Sequence, residues 1–157
     1  MEDFIGRKYT GARITKDAIC VAICDDETFM LELLEEKVRK ILPSAVIEQF
    51  SSGRELLEGN TQADILFLDI QMPEVDGMET AGLFRRQRRD ALIIFVTAAP
   101  EYVFQAFDVG AFHYLVKPLS DDKFDEVFGN ALLEIGRRNK GRDGDDGDYM
   151  MIQAGGV

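Results

Sequence analysis

Three aspartates, a threonine and a lysine in this chain stand where apolar runs end. Asp25 and Asp26 follow AICVAIC, Asp69 closes DILFLD, Thr97 follows ALIIFV and Lys117 follows FHYLV. Three carboxylates gathered within a few ångströms repel one another by about 4 kcal/mol per pair at an effective dielectric near 20. A hard divalent cation relieves that repulsion, and an oxygen-only ligand set suits Mg²⁺, which keeps several of its waters. A lysine and a hydroxyl on the same edge add donors for the oxygens of a phosphoryl group. Such a site is built to accept phosphate on a carboxylate.

That chemistry requires separate segments to end at one place. Apolar runs rich in Ile, Val, Leu or Phe recur at 18–24, 45–50, 64–69, 91–96 and 112–116. Most show little polar alternation, as in strands covered on both faces. Between them lie segments of helical period. Met30, Leu33, Leu34, Val38 and Ile41 form one stripe, with Glu27 in the first turn, Lys37, Arg39 and Lys40 near the end, and Pro43 as the stop. Ser52 with Glu55, Asp76 with Glu79, and Ser120 mark three further helix starts, and Pro100 suits the first turn of another. In the helix after Pro100, Val103, Ala106, Phe107 and Gly110 fall at i, i+3, i+4 and i+7. They read as its face against the sheet, flanked by Tyr102 and Phe104. Phe124, Val127, Phe128, Ala131, Leu132 and Ile135 make the last stripe. Strand and helix alternate throughout, which predicts an α/β fold: a doubly wound five-stranded parallel sheet with helices on both faces. Ligands in such folds sit beyond the carboxyl ends of the strands.

Composition narrows the function. With 157 residues, 46% hydrophobic and 30% charged, the chain suits one domain with a real core. No apolar run approaches the roughly 20 residues of a membrane span, and the first residues carry no secretory signal. A cytoplasmic location is expected. Residues 1–17 carry +1 and 137–148 are neutral, so the net charge of −11 leaves −12 on residues 18–136. That charge suits a cation and disfavours nucleic-acid phosphates. Arg85, Arg86, Arg88 and Arg89 read as a solvated helix terminus, where cations complement the dipole. His113 has no companion metal ligands and reads as structural. Cys20 and Cys24 would lie about 13 Å apart on a strand, too far for a disulfide.

Taken together, ICDDE (23–27), LFLDIQMPEVDGME (66–79), VTAA (96–99) and HYLVKPL (113–119) resemble the receiver domain of bacterial two-component response regulators. The intervals between Asp26, Asp69, Thr97 and Lys117 are 43, 28 and 20 positions and fit that family, and the likeness covers roughly 18–138. The resemblance implies a flavodoxin-like fold and a role for each residue. Asp69 resembles the phosphoacceptor that attacks a phosphohistidine on a sensor histidine kinase. Asp26 resembles a direct Mg²⁺ ligand, Asp25 one acting mainly through water, and the Gln71 carbonyl a third protein ligand. Lys117 would pair with Asp69 and then with the phosphoryl group. Thr97 would contact a phosphoryl oxygen, with Tyr114 turning inward behind it. Pro118 stands where the family has a cis peptide. The family's regulated contacts commonly use the fourth helix and fifth strand, which makes Tyr102 and Phe104 a candidate interface for a homodimer formed on phosphorylation.

Two other functions compete. One is a pseudo-receiver, a binding module never phosphorylated. The other is a haloacid-dehalogenase-like phosphatase, which wants a second Asp where this chain has Gln71. Residues 1–17 read as an extension or remnant, 18–138 as the receiver, 139–148 as a linker, and 149–157 as the first strand of an output domain cut short. The wording of GAFHYLVKPLSDDKFDEVFGNAL and YMMIQAGG resembles regulators with a LytTR-type DNA-binding domain, a winged helix being the other output considered. DNA would be met only through that domain, and no membrane is expected.

Overall fold

The computed structural model describes residues 18–143. The expectations for 1–17, the rest of the linker and the strand at 149–157 lie outside the described residues. Five strands are present: β1 (Cys20–Cys24), β2 (Val46–Phe50), β3 (Ile65–Asp69), β4 (Leu92–Thr97) and β5 (His113–Val116). They alternate with α1 (Thr28–Ile41), α2 (Gly53–Glu58), α3 (Gly77–Gln87), α4 (Val103–Asp108) and α5 (Asp121–Asp143). All pairs are parallel and the order is β2-β1-β3-β4-β5. The order reverses direction between β1 and β3, which is where a doubly wound sheet opens a crevice for a ligand. Among the described residues no helix is long and apolar enough to cross a membrane.

The sheet divides the core in two because alternate residues of each strand point to opposite faces. Val21, Ile23, Ile65, Phe67 and Ile94 meet α1 and α5 on one side. Ala22, Leu66, Leu68, Ile93 and Phe95 meet Leu56 of α2, Phe84 of α3 and Ala106 of α4 on the other. Phe67 and Phe124 stack at 5.5 Å and Phe128 lies tilted against them at 5.9 and 5.5 Å, each fully buried. Burial of a side chain of that size stabilises by about 1.5–3 kcal/mol, which fastens α5 to β3. β3 and β4 are buried along their whole length, whereas β2 and β5 are half-covered edges.

The caps hold the helices where the residue types imply. Ser52 accepts from the Glu55 amide at 3.1 Å, Asp76 from the Glu79 amide at 2.9 Å, and Ser120 from the Lys123 amide at 3.0 Å. The Glu55 carboxylate returns not to Ser52 but to the amide and hydroxyl of Ser51, at 2.8 and 3.0 Å. α5 runs to Asp143, five residues into the segment 139–148.

The fourth helix departs from its expected face. Phe107 is 60% exposed, and Gly110 takes φ +75 beyond the helix end, so neither packs on the sheet. Ala106 is buried as expected, and among the described residues Tyr102 and Val109 pack beside it, the Val103 side chain lying outside the description. The chain enters through a 3-10 turn at Pro100–Tyr102, which closes a full turn in three residues. An α-helix covers about 300° in the same span, so the entry rotates the following face by about 60°.

One glycine fits its place through contact rather than torsion. A Cβ at Gly77 would run into the carbonyl oxygen of Asp69 and lie 2.6 Å from the Ile70 Cα, backbone on both counts. The Gly77 amide also donates to the Ile70 carbonyl at 2.7 Å, drawing α3 against the end of β3. Gly77→Ala is expected to lower stability by about 2 kcal/mol in urea unfolding, an overpacking cost the backbone cannot relax. Gly82→Ala in the same helix, where a Cβ meets nothing within 4 Å, should be neutral or gain up to about 1 kcal/mol. Equal effects at the two positions would remove the steric explanation.

Candidate functional site

The carboxyl ends of β1 and β3 bring three carboxylates together. Asp25, Asp26 and Asp69 each offer an oxygen, all within 4.8 Å of one another. Asp25 and Asp69 are buried and Asp26 is exposed, so the group opens to solvent on one side. Asp25 Oδ1 accepts from the Glu27 amide at 2.9 Å, and Asp69 Oδ1 accepts from the Gln71 amide at 3.2 Å. One oxygen of each carboxylate is thereby fixed by the chain just beyond its own strand.

Lys117 reaches the same group from beyond β5. Its Nζ lies 3.1 Å from Asp25 Oδ2 and 3.6 Å from Asp69 Oδ2. The Lys117–Pro118 peptide is cis. The Lys117 amide donates to the Thr97 carbonyl at 2.8 Å, which ties the lysine's backbone to the end of β4. Thr97 is fully buried, one residue beyond Val96, the β4 partner of Asp69. Its Oγ1 accepts from the Ala99 amide at 2.8 Å, an arrangement that leaves the hydroxyl proton to donate elsewhere.

Electrostatics at this edge are unbalanced. Burial, followed by the charge of Asp25, pushes the Asp69 carboxyl up to about 6 despite Lys117. Burial also raises Asp25 against the opposing pull of the Glu27 amide and Lys117. Burial alone would lower Lys117, but its contacts with Asp25 and Asp69 hold it above its ordinary value, so the cation is secure. Asp25 Oδ2 is a buried oxygen that makes no directed hydrogen bond, although the Lys117 charge lies beside it. An all-oxygen set in which Asp25 Oδ2 has only the lysine charge beside it and Asp26 faces solvent fits Mg²⁺.

Tyr114 lies on β5 opposite Phe95, half-buried, with its ring 5.6 Å from that of His113. His113 Nδ1 accepts from the Tyr114 amide at 2.8 Å, a local backbone contact. Tyr102 packs partly under α4, while Phe104 is 83% exposed. Cys24 is buried beside the site, its thiol pushed up to about 12 by burial and then by Asp25, which makes it inert as a nucleophile.

Sequence reasoning passed over one residue of this edge. Glu27 Oε1 lies 3.3 Å from Lys117 Nζ, so a third carboxylate shares the lysine. The acidic run Asp25–Asp26–Glu27 was its signal, but a glutamate before a helix reads equally well as a macrodipole partner. Arg85 and Arg88 also differ from a solvated helix end. Arg85 Nη2 donates to the Gly110 carbonyl at 3.0 Å, and Arg88 donates to the carbonyls of Ala63 and Gln62 at 2.9 and 3.2 Å.

The sequence pattern described as response regulator receiver domain matches residues 21–128. A response regulatory protein of Vibrio cholerae is 37% identical over 114 residues, covering 71% of this chain and 48% of that protein. The transcriptional regulatory protein BtsR of Escherichia coli is 31% identical over 123 residues, 77% of this chain and 51% of that protein. The chain thus spans about half the length of these curated relatives. Among solved structures, response regulator TrrA of Thermotoga maritima, in complex with Mg²⁺ and BeF, superposes with a TM-score of 0.64 at 30% identity. That match covers 72% of this chain and 98% of TrrA. The chemotaxis protein CheY4 of Vibrio cholerae shares the fold, with a TM-score of 0.60 at 24% identity over 77% of this chain and 98% of that one.

Proposed function

From a chain that belongs to the response regulator receiver domain family, we propose a phosphoryl-accepting switch whose acceptor is Asp69. The observation that carries this reading is the convergence of Asp69 with Asp25, Asp26 and Lys117 at the ends of three different strands. An oxygen lone pair of Asp69 attacks phosphorus, a P–O bond forms, and the P–N bond of a sensor kinase's phosphohistidine breaks with its electron pair left on the imidazole. The product is an acyl phosphate. Lys117 is positioned to hold the phosphoryl oxygens, and the Thr97 hydroxyl has a proton to give to one of them. Asp25, Asp26, Asp69 and the Gln71 carbonyl are the groups that would hold Mg²⁺. The ion, when bound, offsets negative charge on carboxylate and phosphoryl oxygens together.

The test is incubation with acetyl phosphate and Mg²⁺, read by intact mass. One phosphoryl group per chain is expected, and none when the metal is chelated. No incorporation would favour the pseudo-receiver, and sustained release of free phosphate from a stable monoester would favour the phosphatase.

The finer reading is a cytoplasmic transcriptional regulator with a LytTR-type DNA-binding output, supported by the resemblance of its sequence and by the name of the relative BtsR. Phosphorylation shifts an existing equilibrium through Thr97 and Tyr114. The responding surface is a homodimer contact on α4 and β5, where Phe104 is 83%, Phe107 60% and Val116 40% exposed. Aromatic side chains left in water at that extent anchor interfaces well. Sedimentation of the phosphorylated domain should show association that weakens about tenfold or more in Phe104→Ala, a loss of at least about 1.4 kcal/mol. Tyr102→Ala, on the packed side, should act less. A phosphorylated wild type that remains monomeric at high concentration places the responding surface elsewhere.

A further inference from the structure

The corner between α3 and β4, at the opposite edge of the sheet from the aspartates, concentrates positive charge in a strongly acidic chain. Arg85, Arg86 and Arg89 line an open cavity of about 600 Å³. Arg85 is engaged with backbone carbonyls, and Arg88 adds an ion pair with Asp64 at 3.8 Å to its own. Arg86 and Arg89 are exposed, and among the described residues neither makes a hydrogen bond or an ion pair. Asp90 is the carboxylate nearest in sequence, and it is exposed. Two exposed arginines with no partner among the described residues stand out in a chain of net charge −11.

The end of α5 comes to this same corner. Arg138 donates to the Asp90 carbonyl, the residue after Arg89. Its charge is felt at Arg85, whose guanidinium is held below its ordinary value by burial and then by Arg138. Beyond Arg142 the chain reads DGDDGD: Asp143, Asp145, Asp146 and Asp148, with no basic residue among them. From Arg138 to Asp143 the helix advances about 7.5 Å. Each residue after that reaches up to about 3.5 Å, so five residues can turn back over the whole of that distance. Glycines at 144 and 147 permit the turn.

We propose that the exposed face made by Arg86 and Arg89 is the docking surface for the acidic segment 144–148 of this same chain. Its three carboxylates supply the charge the corner lacks, and its tether at Arg138 keeps them near at high effective concentration. The contact holds the start of whatever follows α5 against the end of the receiver remote from Asp69.

The experiment places a nitroxide at residue 147 through Gly147→Cys in the full chain. Cys20 and Cys24, both pushed up to about 12 with burial first among the causes, react slowly and leave the new thiol to be labelled. At low ionic strength the amide signals of residues 85–90 should lose intensity several-fold, and recover at high salt as the charges are screened. R86E/R89E should also restore them, with the rest of the spectrum unchanged because both side chains are exposed. Should that variant misfold, R86Q/R89Q takes its place with the same expectation. Absence of broadening, or broadening that survives loss of both arginines, overturns the proposal. So does broadening in a mixture where the nitroxide and the nitrogen-15 label are on different molecules, since the segment then sits on a second copy.

Discussion

Asp69→Asn is expected to leave the domain folded and unable to take up a phosphoryl group from acetyl phosphate and Mg²⁺. The substitution keeps the shape of the side chain and removes the nucleophile, so labelling should fall from stoichiometric to undetectable by intact mass. The neighbours are poor substitutes. Asp25 is buried, with one oxygen on the Glu27 amide and the other 3.1 Å from Lys117, and Asp26 is open to water. Asp26→Asn is the informative companion, because it spares the nucleophile and weakens the cation site. It should slow labelling and raise the Mg²⁺ concentration required. An Asp69→Asn protein that still labels stoichiometrically sinks the assignment of the acceptor.

In chelator, the wild-type domain should be more stable near pH 5 than near pH 7, the reverse of what paired carboxylates ordinarily give. The folded state raises the Asp69 carboxyl from 3.8 to about 6, so it binds that proton more tightly than the unfolded chain does. Wherever the native state binds more protons, stability falls as pH rises, here across the window from the unfolded value up to about 6. Between pH 5 and 7 the loss from this group is about 1–2 kcal/mol. Asp25, also raised, acts in the same direction. Glu55, Asp121 and Glu134 are lowered and act oppositely, but only below their ordinary values of 4.5 or less, outside the comparison between pH 5 and 7.

Millimolar Mg²⁺ should recover stability near pH 7, where the carboxylates are ionised, and little near pH 5, where a proton competes. A gain of about 1 kcal/mol raises the melting temperature of a domain this size by about 4 °C. Asp69→Asn should flatten the pH dependence and be the more stable protein in chelator near pH 7. A melting temperature that climbs from pH 5 to 7 in chelator, or that ignores Mg²⁺ at pH 7, contradicts this account of the site.

Most of the framework was legible in the chain because it rests on short-range rules. β3 and β4 are apolar throughout since both their faces are covered, and no tertiary knowledge is needed to see ILFLD or LIIFVT as buried strands. Ser52, Asp76 and Ser120 cap helices through bonds that reach only three residues. The alternation of these elements limits the architecture to a parallel sheet with its ligand edge at the strand ends, so the sequence alone already points Asp25, Asp26, Asp69, Thr97 and Lys117 to one place.

What the tertiary structure decided depends on contacts between distant segments. Lys117 meets Glu27 across 90 positions, and no local pattern marks that pair. The 3-10 entry that turns Phe107 outward and Tyr102 inward is a change of helical phase invisible to a periodicity counted from Val103. Arg85 and Arg88 look like their neighbours Arg86 and Arg89 in sequence, yet two donate to backbone carbonyls and two face water. Which guanidinium finds a carbonyl depends on where Gly110 and Ala63 come to rest once the sheet has formed. Residue types and spacing thus determine which chemistry the chain can assemble, whereas packing around the sheet determines which side chains share it.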